Sequence, residues 1–255
     1  MVLYKNSVKP IFDKRLHEIE LVKLLLSIFE EKKLSQVLAL KGETALYLFY
    51  NSPASPIDLD FEITKPLSEK EIKEIHQRTE KICIKNKNTI KNSILEKNKI
   101  LLDISYSSQH RKIKVEIDIS HRPFLSKWEI KSFLGVPVRV LKPEDMTAQK
   151  LVAVSTRTKE TAIARDIFDL WFMLVQKKWQ PDKELIEKIA GKKADKIVEK
   201  AIKTVKSFPS SKILRNIDEL VEAESKELIR QDTVRKQLLV QLRVLLYTFG
   251  KKVFT

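Results

Sequence analysis

Lys41-Gly42-Glu43-Thr44-Ala45-Leu46, followed after a Pro-containing stretch by Ile57-Asp58-Leu59-Asp60-Phe61, constrains this 255-residue chain more than any other feature. The apolar run Leu34 to Leu40 reads as a short buried strand, Gly42 punctuates it, and Thr44 to Tyr50 begins a helix. Glycine at that turn lets backbone approach a ligand closely. The free N–H groups and dipole of the new helix favour an anion such as a triphosphate, with the Thr44 hydroxyl as a further donor. In the next strand Leu59, Phe61 and Ile63 alternate with Asp58, Asp60 and Glu62, so the apolar set faces a core and the acids share the other face. Carboxylates two residues apart on a strand stand roughly 7 Å from each other. That spacing suits one or two Mg²⁺ or Mn²⁺ ions, because hard cations take oxygen ligands and bridge phosphates.

A third carboxylate would complete such a site, and the strictly alternating segment Arg111 to Ile119 offers two. Asp118 is the first choice and Glu116 the second. Further along, Ala162 to Val175 is apolar but for Arg165, Asp166 and Asp169. A helix of that composition is buried on most sides, and its carboxylates cost about 3 kcal/mol or more unless paired. Lys150 and Arg157, seven apart in the preceding helical run, present a cationic face that could meet the acidic one, as a structural ion pair or as part of a catalytic assembly. His17, His76, His110 and His121 are scattered without metal-ligand spacing and read as structural or surface groups.

The remaining pattern is α+β. Asp13 to Lys33 reads as one helix, and Ser68 with Glu71 as a capping box opening a helix to about Lys81. Ile100 to Ser105, Ile113 to Ile119, Trp128 to Leu134 and Val136 to Leu141 read as strands, the last pair joined at Gly135. From Pro143 onward the expected elements are helices: 143–156, 162–178, 183–189, 194–206, 214–224 and 233–247. The expected organisation is therefore a catalytic domain over residues 1–142 and an all-helical domain over 143–255 that closes over the site. With 49 Lys and Arg against 34 Asp and Glu, the net charge of +15 attracts polyanions, RNA first among them. The lone Cys83 excludes a disulfide framework and suits the reducing cytoplasm. No apolar run is long enough for a membrane span, and the N-terminus starts no signal peptide.

Gly42-Glu43-Thr44 with Asp58 and Asp60 resembles the nucleotidyltransferases of the DNA polymerase beta superfamily, whose signature is a Gly-[Gly/Ser] turn followed by Asp-x-[Asp/Glu]. More narrowly, the blocks at 41–61, Lys150 with Ser155 and Arg157, and Arg165-Asp166-Ile167-Phe168-Asp169 resemble the AbiEii/AbiGii toxins of type IV toxin-antitoxin systems. Three departures are visible: Glu43 stands where the family has a small residue, Ser55 is offset from the family's hydroxyl residue, and the Lys150 element is one residue short. The resemblance implies a nucleotidyltransferase-like mixed β-sheet with flanking helices and transfer of NMP from an NTP to an acceptor hydroxyl. It implies metal on Asp58, Asp60 and Asp118, nucleotide contacts from Gly42, Glu43, Thr44, Lys150 and Arg157, and catalytic parts for Asp58, Asp60, Lys150, Asp166 and Asp169. It also implies tRNA or another RNA as acceptor and a cognate antitoxin. Two alternatives are a small-molecule or protein hydroxyl as acceptor, and a non-catalytic RNA-binding module.

Overall fold

A computed structural model of the chain describes residues 13–106, 112–120 and 126–250. In chain order its elements are α1 (Lys14–Glu30), α2 (Lys32–Val37), β1 (Leu38–Lys41), α3 (Gly42–Tyr50), β2 (Leu59–Ile63), α4 (Glu69–Lys85), β3 (Thr89–Leu95), β4 (Lys99–Ser105), β5 (Lys112–Asp118), β6 (Trp128–Phe133) and β7 (Val136–Leu141). Then follow α5 (Pro143–Thr156), α6 (Glu160–Trp171) with a π-helical turn at Phe172–Gln176, α7 (Lys183–Ala190), α8 (Ala194–Ser207), α9 (Ser210–Ile217), α10 (Ala223–Arg230) and α11 (Thr233–Gly250). The chain is an α+β protein whose strands form mixed pairings. Its contacts divide it into two compact units, Met1–Leu38 with Ile57–His121 and Ala39–Pro56 with Arg122–Thr255. The junction Lys142-Pro143 lies inside the second unit, between β7 and α5.

In the first unit the strands lie in the order β3-β4-β5-β2, antiparallel except for the parallel β5/β2 pair. Strict alternation buries Ile100, Leu102 and Ile104 of β4 and Ile113, Val115 and Ile117 of β5, with Leu59 and Phe61 of β2. The helix expected over Asp13 to Lys33 is two helices. Asp13 caps α1 by accepting from the Leu16 N–H at 3.0 Å, and Glu31 leaves helical geometry and caps α2 by accepting from the Leu34 N–H at 2.7 Å. Leu34 and Val37 are buried one helical turn apart, so the apolar run expected as a strand from Leu34 is helical until Val37, and β1 starts at Leu38. A short apolar run fits both periods, and the Glu31 cap decides between them. The Ser68 capping box is present, and α4 runs four residues past its expected end. Strand β3 went unread because four of its seven residues are polar and a register shift interrupts it between Ile90 and Asn92.

The second unit holds β1, β7 and β6, with β1 parallel to β7 (Leu40 level with Val140) and β6 antiparallel to β7. Leu134 (φ 48°) and Gly135 (φ 83°) make the two-residue turn of the β6/β7 hairpin, the left-handed pair that matches strand twist. From Pro143 to Gly250 the regular elements are helices, with α8 packed between α5, α7 and α11. The helix expected over Leu214 to Glu224 is two, α9 and α10. The linker between them lends its backbone elsewhere: Val221 bridges Ala54, and the Leu220 carbonyl accepts from the Ser55 N–H at 2.9 Å. Among the described residues no helix is long and apolar enough to cross a membrane.

Candidate active site

The first unit displays its acids by strand register. Along the parallel β2/β5 pair Leu59 is level with Val115, Asp60 with Glu116, Phe61 with Ile117 and Glu62 with Asp118. Side chains at one level leave a parallel pair on the same side, so Asp60 and Glu116 share the face opposite the buried Leu59, Phe61, Val115 and Ile117. Asp58, one residue before β2, accepts from the Lys114 N–H through Oδ1 at 3.0 Å. The Lys114 ammonium reaches back over this face, 3.3 Å from Glu116 Oε2 and 3.8 Å from Asp58 Oδ2. Burial works against that charge, but Asp58, Asp60 and Glu116 together outweigh it and raise the lysine above its ordinary range. Glu62 is buried, and Asp118 Oδ1 accepts from the Ser120 N–H at 3.0 Å and the Ser120 hydroxyl at 2.6 Å. Of the two acids weighed as third carboxylate, Glu116 therefore stands level with Asp60, and Asp118 one side-chain step beyond.

His17 fixes the approach to this face. It is buried, with Nε2 at 3.0 Å from the Ile57 carbonyl and Nδ1 against the Tyr106 hydroxyl. A carbonyl can only accept, so Nε2 donates to it and the ring is held between Ile57 and Tyr106. His76 hydrogen-bonds Ser93 at 2.6 Å, while His110 and His121 lie outside the described residues.

Oxygen-only donors with an excess of negative charge suit Mg²⁺ or Mn²⁺, and the Lys114 ammonium is a stand-in cation among them. The residues thus fit a divalent metal in chemistry. As arranged around Lys114, no three His, Cys, Asp or Glu side chains among the described residues converge into a ready metal nest.

The second unit carries the glycine turn and the helical charges. Gly42 adopts φ 72°, a conformation open to glycine at little cost, and α3 starts there without a capping side chain from Lys41. Thr44 is fully enclosed. Glu43 is nearly buried, and its carboxylate meets Arg165 Nη2 at 2.7 Å. The same nitrogen donates to the Ser55 carbonyl at 2.9 Å, so one guanidinium ties the glycine turn to the segment ahead of Asp58. Arg165 Nε lies 3.6 Å from Asp169 Oδ1, and Asp169 Oδ2 accepts from Lys150 Nζ at 2.9 Å. Lys150 also donates to Asp166 Oδ1 at 2.8 Å, and Asp166 Oδ2 accepts from Arg157 Nη1 at 2.8 Å. Glu43, Arg165, Asp169, Lys150, Asp166 and Arg157 form one chain of alternating sign. Its two aspartates are about 1 % exposed, whereas Arg157 at its outer end is half exposed. Burial disfavours the Lys150 ammonium, but Asp166 and Asp169 more than reverse the effect and hold its pKa well above the usual lysine range.

The structure thus joins Glu43, Lys150, Arg157, Asp166 and Asp169 within the second unit, and groups Asp58, Asp60 and Glu116 within the first. One member escaped the sequence reading: Lys114 was visible only as the polar residue in step with Glu116. Arg165 was read within the Arg165 to Asp169 block, but its pairing with Glu43 was not.

A family model described as nucleotidyl transferase AbiEii toxin, type IV toxin-antitoxin system, matches residues 23–239, a span holding every residue of both clusters. Among solved structures the fold is similar to a candidate nucleotidyltransferase from H. pylori, with TM-score 0.57 and 20 % identity over 94 % of this chain and 97 % of that one. It is also similar to JHP933 from Helicobacter pylori, with TM-score 0.50 and 20 % identity over 92 % and 93 % of the two chains. A search of curated proteins finds no match. With its family blocks folded into two ordered charge clusters and the family match running through nearly the whole chain, this protein belongs to the AbiEii nucleotidyltransferase toxins of type IV toxin-antitoxin systems.

Proposed function

We propose that this nucleotidyltransferase is metal-dependent and transfers NMP from an NTP to a hydroxyl of RNA, a tRNA 3′ end in particular, within the cytoplasm. The observation that supports it best is the β2/β5 register, which sets Glu116 level with Asp60 and brings Asp58 and Lys114 to the same acidic face. Asp58 and Asp60, with Glu116 or Asp118, would hold Mg²⁺. When bound, the ion supplies charge neutralisation of the triphosphate and lowers the pKa of the acceptor hydroxyl. The hydroxyl oxygen attacks the α-phosphorus as pyrophosphate leaves, and a carboxylate of the Asp58/Asp60 face takes the hydroxyl proton. Backbone N–H groups after Gly42 bind phosphate oxygens at the start of α3. Lys150, kept protonated by Asp166 and Asp169, would neutralise charge that develops on the triphosphate, with Arg157 sharing Asp166. We assign the transfer chemistry to residues 1–142 and these supporting groups to residues 143–255.

Family membership implies an NTP substrate and a cognate antitoxin. The net charge of +15 supports a polyanionic acceptor. Cys83 is buried, its thiol pushed up to about 12 by burial, which fits a chain with no use for oxidised sulfur. The pairing of Glu43 with Arg165 speaks against a non-catalytic module, because the acid at the turn is already neutralised and does not confront the phosphates as a bare charge.

The test is transfer of label from each α-³²P-NTP to total RNA with Mg²⁺, beside Asp58→Ala and Asp60→Ala. We expect labelled tRNA that disappears in both variants. Label on a protein or small molecule instead of RNA would move the acceptor to that class. Absence of label with every nucleotide would sink the proposed reaction.

A further inference from the structure

We infer that Lys114 is a resident counter-cation of the Asp58 and Glu116 carboxylates, which must withdraw its ammonium when a divalent ion takes their charge. The inference rests on the metal-dependent reading above and goes beyond it by naming the group with which the metal competes. Two observations carry it. Lys114 touches the Asp58 carboxylate twice, through its backbone N–H at 3.0 Å and its ammonium at 3.8 Å, so its position is set by a backbone hydrogen bond as well as by charge. The same ammonium lies 3.3 Å from Glu116, the acid level with Asp60.

The exchange is physically easy. Lys114 is 37 % exposed, so its flexible stem can swing the ammonium into water, still protonated, with no backbone movement. The hydrogen bond from its backbone N–H to the Asp58 carboxylate keeps Asp58 seated while the side chain leaves. Asp58 and Glu116 are themselves partly exposed, and screening keeps the competition modest. An ammonium held a few ångströms from a dication in water-like surroundings weakens its binding by about tenfold. The device would give low affinity for free metal and favour entry of metal together with the triphosphate, whose own oxygens complete the coordination.

The experiment measures Mn²⁺ binding to the full chain without nucleotide, from the loss of the free-ion electron paramagnetic resonance signal. It compares wild type, Lys114→Gln, Lys114→Arg and the double variant Asp58→Asn/Asp60→Asn. We expect K114Q to bind Mn²⁺ about tenfold more tightly than wild type, K114R to match wild type, and the double variant to lose binding. In EDTA, K114Q should melt below wild type, and Mn²⁺ should raise its Tm by more. Should K114Q not fold, Lys114→Met, which keeps the apolar stem, takes its place. Equal affinity of K114Q and wild type, with binding lost in the double variant, would overturn the role of Lys114 and leave the metal reading standing. K114R tightening as K114Q does would overturn it too, since the charge would then be irrelevant. No binding by any form, and none restored by added NTP, would overturn both.

Discussion

Glu43 and Lys150 are the residues whose removal separates fold from chemistry most sharply. Glu43→Gln takes the charge from a pair in which both side chains are about 10 % exposed, leaving Arg165 with less than its full compensation. We expect a loss of about 2 to 4 kcal/mol in urea unfolding, and a much smaller further loss when Arg165→Gln is added, because the two changes remove one interaction. Additive losses would show that the pair is not coupled. Lys150 answers through pH. Its folded pKa is raised, so its contribution is complete below the unfolded lysine value of about 10.4 and fades as pH climbs through the higher folded value. The gap in Tm between wild type and Lys150→Met should therefore stay constant up to about pH 10 and narrow beyond it. A gap that already narrows between pH 7 and 9 would refute the raised pKa. The need for partners around Asp166 and Asp169 was legible in the sequence, since an apolar helix cannot hold bare carboxylates. That Arg165 would be claimed by Glu43 was not, because nothing local distinguishes one remote acid from another.

At the level of elements, two of the three left-handed glycines among the described residues make a paired experiment. Gly42 opens α3 at φ 72° and Gly135 turns the β6/β7 hairpin at φ 83°, where an added Cβ meets nothing within 4 Å. Alanine at either position should cost about 1 to 2 kcal/mol of backbone strain, seen in chemical denaturation. Only Gly42→Ala should also raise the KM for NTP; an equal effect from Gly135→Ala would remove the glycine turn from nucleotide binding. Both turns could be read from sequence, because a conformation that favours glycine is a local property. The same holds for β2, β5 and the Ser68 cap, whose patterns are complete within one segment. Elements that failed did so where the deciding partner is distant. The linker between α9 and α10 is non-helical where its backbone pairs with Ala54 and Ser55, and the helical periodicity of Leu214 to Glu224 carries no trace of that.

For the whole molecule, a net charge of +15 predicts that binding of the proposed tRNA acceptor weakens steeply with salt. If six or more phosphates are contacted, affinity should fall on the order of 10³-fold between 50 and 200 mM salt, measured by filter binding. A flat salt response would assign the charge to solvated surface and point to a different acceptor. Charge, the alternating Asp58-x-Asp60 strand, the glycine turn and the paired helical acids were determined by the sequence itself, since composition, period and left-handed backbone are set by neighbouring residues. Only the tertiary structure decided that Glu116 stands level with Asp60, that Lys114 lies between Asp58 and Glu116 and that Glu43 is neutralised by Arg165. Strand register and the choice of an ion partner depend on which distant segments pack together, and that is a property of the folded chain.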